Sequence, residues 1–254
     1  MSYPITEYDT DEGILNPQLM ISSGELPSEC ILCFFPTVFQ MLPKEFQIIN
    51  TIYLNSPLGE HPVHIVSYKN TIFSVFNPGL GGPMAGGFLE ELIALGACKF
   101  ILCGSAGVLK DIEVGSLIIP SFAIRDEGTS YHYLPASDSI SINTEWRNKI
   151  INFLNKHRIS YVEGGTWTTD AIYRETVNRK NRRVKQGCVC VDMEVASLTA
   201  ISECRGVKFA PILYSGDILA DEWDSRNWKD GVTSQMSLFQ LCCDFLGEMS
   251  CVLE

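Results

Sequence analysis

Two acidic residues in this sequence stand where they could do chemistry. Glu194 lies in "GCVCVDMEVASLTAIS", Gly187 to Ser202, an apolar stretch that reads as one helix. In such a helix Glu194 shares its face with Val191 and Leu198. A carboxylate on a buried stripe is costly unless something binds it, so Glu194 is expected to hold a ligand or to pair with an arginine. Asp217, in "LYSGDILADEWD", follows an apolar run at a strand end, where a catalytic acid would sit; an aspartate there is also an ordinary helix cap. Two glycine-rich turns, "NPGLGGP" and "CGSAGVL", follow strand-like runs as well. Glycines let the backbone approach a ligand, and successive free N–H groups cradle an anion or a sugar. Neither turn has the spacing of a Walker loop or of the dinucleotide fingerprint, and each also reads as a plain tight turn.

The elements that must position these residues follow from hydrophobic patterning. "CILCFF", "HIVSY", "TIFSVF", "KFILCG", "SLIIP" and "KFAPILYS" read as buried strands bounded by Gly, Pro or Asn. "PMAGGFLEELIALG" places Phe88, Leu92 and Leu95 on one helical face after a proline start and stops at Gly96. "NTEWRNKIINFLNKH" does the same with Trp146, Ile150, Phe153 and Leu154, and Val232 to Leu253 reads as a last helix. Strands alternating with helices predict an α/β sandwich around a largely parallel or mixed sheet, with ligands at the carboxyl ends of its strands.

The chain has 254 residues, 46% of them hydrophobic, with no repeat or linker to divide it, so a single domain over residues 1–254 is expected. Acidic residues outnumber basic ones 30 to 19, for a net charge of -11. That excludes the electrostatic footprint of a nucleic-acid binder and favours a small-molecule or protein partner. Ten cysteines in a chain of this length, with no secretory leader at its start, are expected to be reduced thiols of a cytoplasmic protein. No apolar run reaches the roughly 20 residues that span a bilayer, so no membrane partner is expected.

The order "GLGGP", apolar helix, "CGSAG", "AIRDEGTSYHY", "VDMEVASL" and "YSGD" closely resembles the nucleoside phosphorylase family, in the branch of uridine phosphorylases and hexameric purine nucleoside phosphorylases. The resemblance runs from about residue 78 to residue 228; the first 70 residues match poorly. It implies a three-layer α/β/α sandwich around a mixed, partly barrel-like sheet. It also implies cleavage of a ribonucleoside to free base and ribose 1-phosphate, with inorganic phosphate as co-substrate, no metal and no organic cofactor, in a homodimer or a hexamer built as a trimer of dimers. By the same resemblance Glu194 accepts hydrogen bonds from the ribose hydroxyls, Met193 packs under the sugar, and Asp217 is the acid at the leaving base. A carboxylate suits a vicinal diol, because it accepts two charge-assisted bonds at once. A glycine separates Asp217 from Ser215, where the family reads Ser-Asp.

The phosphate subsite departs most. Phe34 and Val38 stand for the glycine and arginine of the family's first loop, Leu102 for a second arginine, and "IYLNSPLGEHP" supplies no match for the arginine lent by a neighbouring subunit. Phosphate is then left to backbone N–H groups around Gly82, Gly104 and Ser105, or to an arginine from elsewhere: Arg125, Arg174 or Arg226. For the base, Thr176 and Asn178 replace the Gln-x-Arg of uridine phosphorylases, leaving Gly107, Tyr173, Arg174 and Glu175 as candidates. Two alternatives to phosphorolysis are a hydrolase using water and a catalytically silent nucleoside-binding protein.

Other patterns have plainer readings. "CILC" has thioredoxin spacing but sits inside a strand-like run, "HPVH" at His61 and His64 lacks a second metal-binding cluster, and Cys188, Cys190, Cys242 and Cys243 fill core space. "NRKNRRVK" reads as a solvated helix face or an anion guide, and "YHY" at Tyr131 to Tyr133 as packing near the sugar.

Overall fold

The computed structural model describes residues 3–21, 25–142, 144–220, 222–227 and 231–251. Among them one sheet collects β1 (Glu29–Cys33), β2 (Gln47–Ser56), β3 (Gly59–Tyr68), β4 (Thr71–Phe76), β5 (Lys99–Val108), β6 (Leu117–Asp126), β7 (Ser139–Ser141), β8 (Tyr161–Thr169), β9 (Cys188–Asp192), β10 (Lys208–Leu219) and β11 (Trp223–Asp224). The helices are α1 (Pro17–Met20), α2 (Pro36–Glu45), α3 (Gly82–Ala94), α4 (Thr144–Lys156), α5 (Val177–Lys185), α6 (Val195–Cys204) and α7 (Val232–Cys251). None of the described helices is long and apolar enough to cross a membrane.

Strands β10, β6, β8, β9 and β5 lie edge to edge, and β10 pairs with β5 again, closing a five-stranded barrel. From β5 the sheet continues outward through β1, β4, β3 and β2. β5 is long enough to serve both parts. Its first half, Lys99–Cys103, pairs in parallel with β1, while Gly107 and Val108 near its end pair antiparallel with β9. Where β1 stops at Cys33 and before β9 begins, the flank of β5 at Gly104 and Ser105 has no strand beside it, and a cavity opens there.

The period-two pleat sorts the core into two layers. Cys30, Leu32, Phe100 and Leu102 face α3 and α6, whereas Ile31, Cys33, Ile101 and Cys103 face α2, α4 and α7. Cys30 and Cys33 therefore point to opposite sides of the sheet, so "CILC" is core packing. His61 and His64 lie on β3, hydrogen-bonded to Ser56 (2.7 Å) and Thr51 (3.0 Å). The predicted faces of α3 and α4 are buried as the spacing requires, at Phe88, Leu92 and Leu95 and at Trp146, Ile150, Phe153 and Leu154. Val252 and Leu253, at the end of the predicted last helix, lie outside the described residues.

Three local expectations are corrected. Residues 187–202 are not one helix: Cys188–Asp192 form a fully buried strand, and helix α6 starts only at Val195. A short apolar run that is buried on every side has the same composition in a strand as in a helix, and periodicity does not separate the two. Glu194 consequently shares no helical face with Val191. "CGSAG" is not a turn but the uninterrupted second half of β5, and "YSGD" likewise lies inside β10.

Helices α3 and α6 cross closely because α3 carries glycine where they meet. A methyl on Gly86 would lie 2.6 Å from the buried Ile201 Cδ1, while one on Gly87 would meet nothing within 4 Å. Gly86→Val is expected to lower stability by about 1–3 kcal/mol through overpacking. Gly87→Ala is expected to raise it by about 0.5–1 kcal/mol through helix propensity. Urea midpoints of the two variants check the pair; equal shifts would show that the crossing is not tight at Gly86.

Candidate active site

The cavity at the end of β1 has a volume of about 740 Å³ and carries four carboxyl groups, those of Glu175, Asp192, Glu194 and Asp217. Its construction starts at Asp192, the last residue of β9, which is only 8% exposed. One of its oxygens accepts the N–H groups of Glu194 (2.7 Å) and Val195 (2.6 Å), and the other accepts the hydroxyls of Thr166 and Thr168 on β8 (2.8 Å each). The Thr168 hydroxyl in turn accepts the N–H of Ala196 at 3.0 Å. The first turn of α6 thus receives its donors' partners from Asp192 and Thr168.

Glu194 occupies the backbone position of a helix cap, yet its side chain makes no capping bond. It reaches instead to the N–H of Gly81, at 2.6 Å, the residue ahead of α3 whose φ of 86° favours glycine. No lysine or arginine pairs with Glu194 among the described residues. Burial, followed by the charge of Asp192, pushes the Glu194 carboxyl up to about 8. Met193 and Val195 line the cavity on either side of it.

Asp217 settles the question raised by the extra glycine. β10 pairs Ser215 with Ala106 and Ile218 with Val108, so three steps on β10 match two on β5 and the surplus residue is a bulge. Arg226 clamps that bulge: its Nε (3.0 Å) and Nη2 (2.6 Å) donate to the Gly216 carbonyl, and Nη1 donates to the Ile112 carbonyl (2.7 Å). The kink sets Asp217 beside Gly107, where an added methyl would lie 3.3 Å from Asp217 Oδ1. Trp223 Nε1 donates to Asp217 Oδ2 at 2.6 Å.

The remaining expected site residues divide. Gly104, Ser105, Gly107, Tyr173 and Glu175 line the cavity together with Met193, Glu194 and Asp217. Gly82 does not; it is buried against Ser197 and Thr129 in the α3–α6 contact. Arg125 does not either. It is 4% exposed, and its donors go to Ser130 Oγ (2.8 Å), the Pro135 carbonyl (2.6 Å), Ser137 Oγ (2.9 Å) and the Leu134 carbonyl (3.2 Å), with the Tyr131 ring 4.2 Å away. Arg125 organises the 130–137 loop rather than meeting an anion. Arg174 is exposed and off the lining, and Arg226 is engaged by the bulge. No lysine or arginine therefore stands among the described lining residues, while Phe34 and Leu102 do.

The basic run "NRKNRRVK" is a scaffold. On α5, Arg179 and Arg183 pair with Asp126 (3.3 and 3.0 Å), and Lys180 donates to the Ala220 carbonyl (2.9 Å). Thr176 caps the helix and Asn178 is exposed on it. The anchoring fixes the segment that brings Ile172, Tyr173 and Glu175 to the cavity.

The family model described as the phosphorylase superfamily matches residues 30–244. This chain belongs to that superfamily. Uridine phosphorylase of Thermococcus kodakarensis is 36% identical over 115 residues, a match covering 45% of this chain and 42% of that protein. The crystal structure of Vibrio fischeri uridine phosphorylase superposes with a TM-score of 0.73 at 24% identity, covering 92% of this chain and 98% of that one. The Helicobacter pylori 5′-methylthioadenosine/S-adenosylhomocysteine nucleosidase superposes with a TM-score of 0.71 at 20% identity, covering 88% and 99%. The likeness to the two structures is one of fold, so the site of this superfamily member stands on its own geometry.

Sequence pattern marks Asp192 only as a second carboxylate in the 187–202 stretch, with no role, and does not mark Trp223. An aspartate two residues ahead of Glu194 at a helix start is the signal for the first; nothing marks the second.

Glu194 also makes stability depend on pH. Its carboxyl ionises near 4.5 when unfolded and near 8 when folded, so the folded form holds its proton longer and loses stability as pH rises between those values. The Glu194→Gln protein is expected to lose roughly 2–4 kcal/mol less between pH 5 and pH 9 than the parent, ligand-free. Denaturant titrations across that range measure it, and identical pH slopes for the two proteins would contradict it.

Proposed function

We propose that this chain cleaves the N-glycosidic bond of a ribonucleoside, with Glu194 holding the ribose hydroxyls over Met193 and Asp217 at the leaving base. One observation carries the reading: four carboxyl groups and no cation among the described residues of one cavity. The transition state of glycosidic cleavage develops positive charge on the sugar ring, and fixed negative groups stabilise it. Glu194 suits a diol because its one bond to Gly81 leaves acceptor sites for ribose.

The same observation bears on the nucleophile. A phosphate dianion is repelled by any ionised carboxylate that it approaches in a cavity with no cation among its described lining residues. Water meets no such repulsion, and hydrolysis is the reaction that this chain's own residues support. Phosphorolysis is the second reading, favoured by the likeness to curated phosphorylases. It binds phosphate on the backbone of Gly104 and Ser105 and needs a cation brought by a neighbouring copy in a dimer or hexamer. Neither route calls for a metal or organic cofactor, and a cytoplasmic enzyme of nucleoside salvage fits both.

The test is base release from purine and pyrimidine nucleosides, with and without phosphate. Free ribose formed at the same rate in both conditions is the expected result. Ribose 1-phosphate appearing only with phosphate establishes the second reading, and nucleoside binding without base release establishes a silent binder. Glu194→Gln is expected to cut turnover about 100-fold or more, since charge-assisted bonds that tighten in the transition state contribute roughly 3 kcal/mol. A folded variant with an unchanged rate would remove Glu194 from the sugar site.

A further inference from the structure

The cavity's carboxyls fall into two electrostatic groups. Glu194 feels Asp192 and Asp170, while Glu175 feels Asp217. Within the second group the two acids are held differently. Asp217 accepts the indole N–H of Trp223, a group that donates and never accepts. The Glu175 carboxyl has no hydrogen bond or ion pair among the described residues, although it is half-buried. Its backbone is nonetheless fixed. Glu175 closes the turn Ile172–Arg174, its own N–H donates to the Ile172 carbonyl at 3.4 Å, and Thr176 beside it caps the anchored helix α5.

We infer that Glu175 is the group that protonates the departing base, and that Asp217 is the fixed anion that keeps the proton on it. The inference rests on the glycosidic cleavage proposed above. Burial first, and the Asp217 charge second, push the Glu175 carboxyl up to about 7. Every other charged side chain lining the cavity, Asp192 and Glu194 from the β9–α6 junction, is acidic too; Arg174, on the same turn as Glu175, lies off the lining. Near neutral pH Glu175 is thus poised as a general acid. In the step itself the C1′–N bond breaks and its electron pair goes to the base, whose nitrogen takes the Glu175 proton. Water adds its lone pair to C1′, and the proton that it sheds returns to the Glu175 carboxylate, leaving free base and ribose.

The assignment gives the two acids different signatures. The experiment measures kcat/KM from pH 5 to 9 on a natural nucleoside and on 4-nitrophenyl riboside, whose leaving group needs no proton, for the parent, Glu175→Gln and Asp217→Asn. Alongside, ¹³C NMR follows the Glu175 side-chain carboxyl in the parent and in Asp217→Asn. The parent is expected to lose activity on the nucleoside tenfold per pH unit above about 7. Glu175→Gln should lower the nucleoside rate about 100-fold and abolish that limb, with a far smaller loss on the nitrophenyl substrate. Asp217→Asn should move the limb and the NMR titration of Glu175 to lower pH. A limb that persists in Glu175→Gln, equal losses on both substrates, or an Asp217→Asn protein whose Glu175 titrates as in the parent would overturn the inference. A parent that cleaves the nitrophenyl riboside with no limb on the nucleoside overturns it while sparing the proposed bond cleavage. A parent that cleaves neither removes both.

Discussion

The site depends on one buried aspartate. Asp192 takes four hydrogen bonds, two from the backbone that opens α6 and two from threonines on β8. A carboxylate removed from water is tolerated only when its acceptor sites are filled, and here they are. The consequence lies two residues further on. Because Asp192 already serves the first donors of α6, Glu194 at the cap position is released from capping, and its carboxyl turns to Gly81 and to the cavity. Two acidic residues in three positions therefore divide the labour, one structural and one free for a ligand. Replacing Asp192 would strip the helix start and the Glu194 placement together.

A similar division governs the cations. The sequence carries 19 lysines and arginines, yet those near the site serve the frame. Arg125 gathers the 130–137 loop, Arg226 closes on the carbonyl exposed by the β10 bulge, and Arg179 with Arg183 ties α5 to Asp126. Guanidinium groups suit such work, since their planar fork meets several carbonyls or a carboxylate at once. Arg226 and the two α5 arginines hold segments that present Asp217, Tyr173 and Glu175 to the cavity. These arginines build the walls, and the charged groups of the described cavity lining are all acids.

How far this was legible in the sequence follows the same physics. The long amphipathic helices and the apolar strands declared themselves, because their periodicity is set by burial on one face. β2 and β8 were not foreseen: half of β2 faces solvent, and β8 mixes threonine and glycine with its apolar residues. β9 was mistaken for helix because a strand buried on all sides has no polar face to mark its period. Glu194 and Asp217 stood out as charges in apolar surroundings, and the cavity gathers both. Arg125 and Arg226 failed as anion ligands for a different reason. Whether a guanidinium is available depends on which carbonyls lie within its reach, and that is a property of distant loops such as 134–137, not of the residues around Arg125.

The negative interior carries a thermodynamic consequence for any ligand it takes. Burial raises the carboxyls of Glu175 and Glu194 to about 7 and about 8, so the empty cavity is strained toward neutrality at the pH where it would act. A ligand that offers hydroxyl donors at one end and gains positive character in its ring relieves that strain by stabilising the charged forms. In the proposed cleavage the relief grows as the ring charge develops, so it is larger in the transition state than in the bound nucleoside. A neutral apolar ligand filling the same volume would leave the carboxyls desolvated and unanswered. Acids that the fold holds out of water thus favour a ligand that answers their charge over one that only fills the volume.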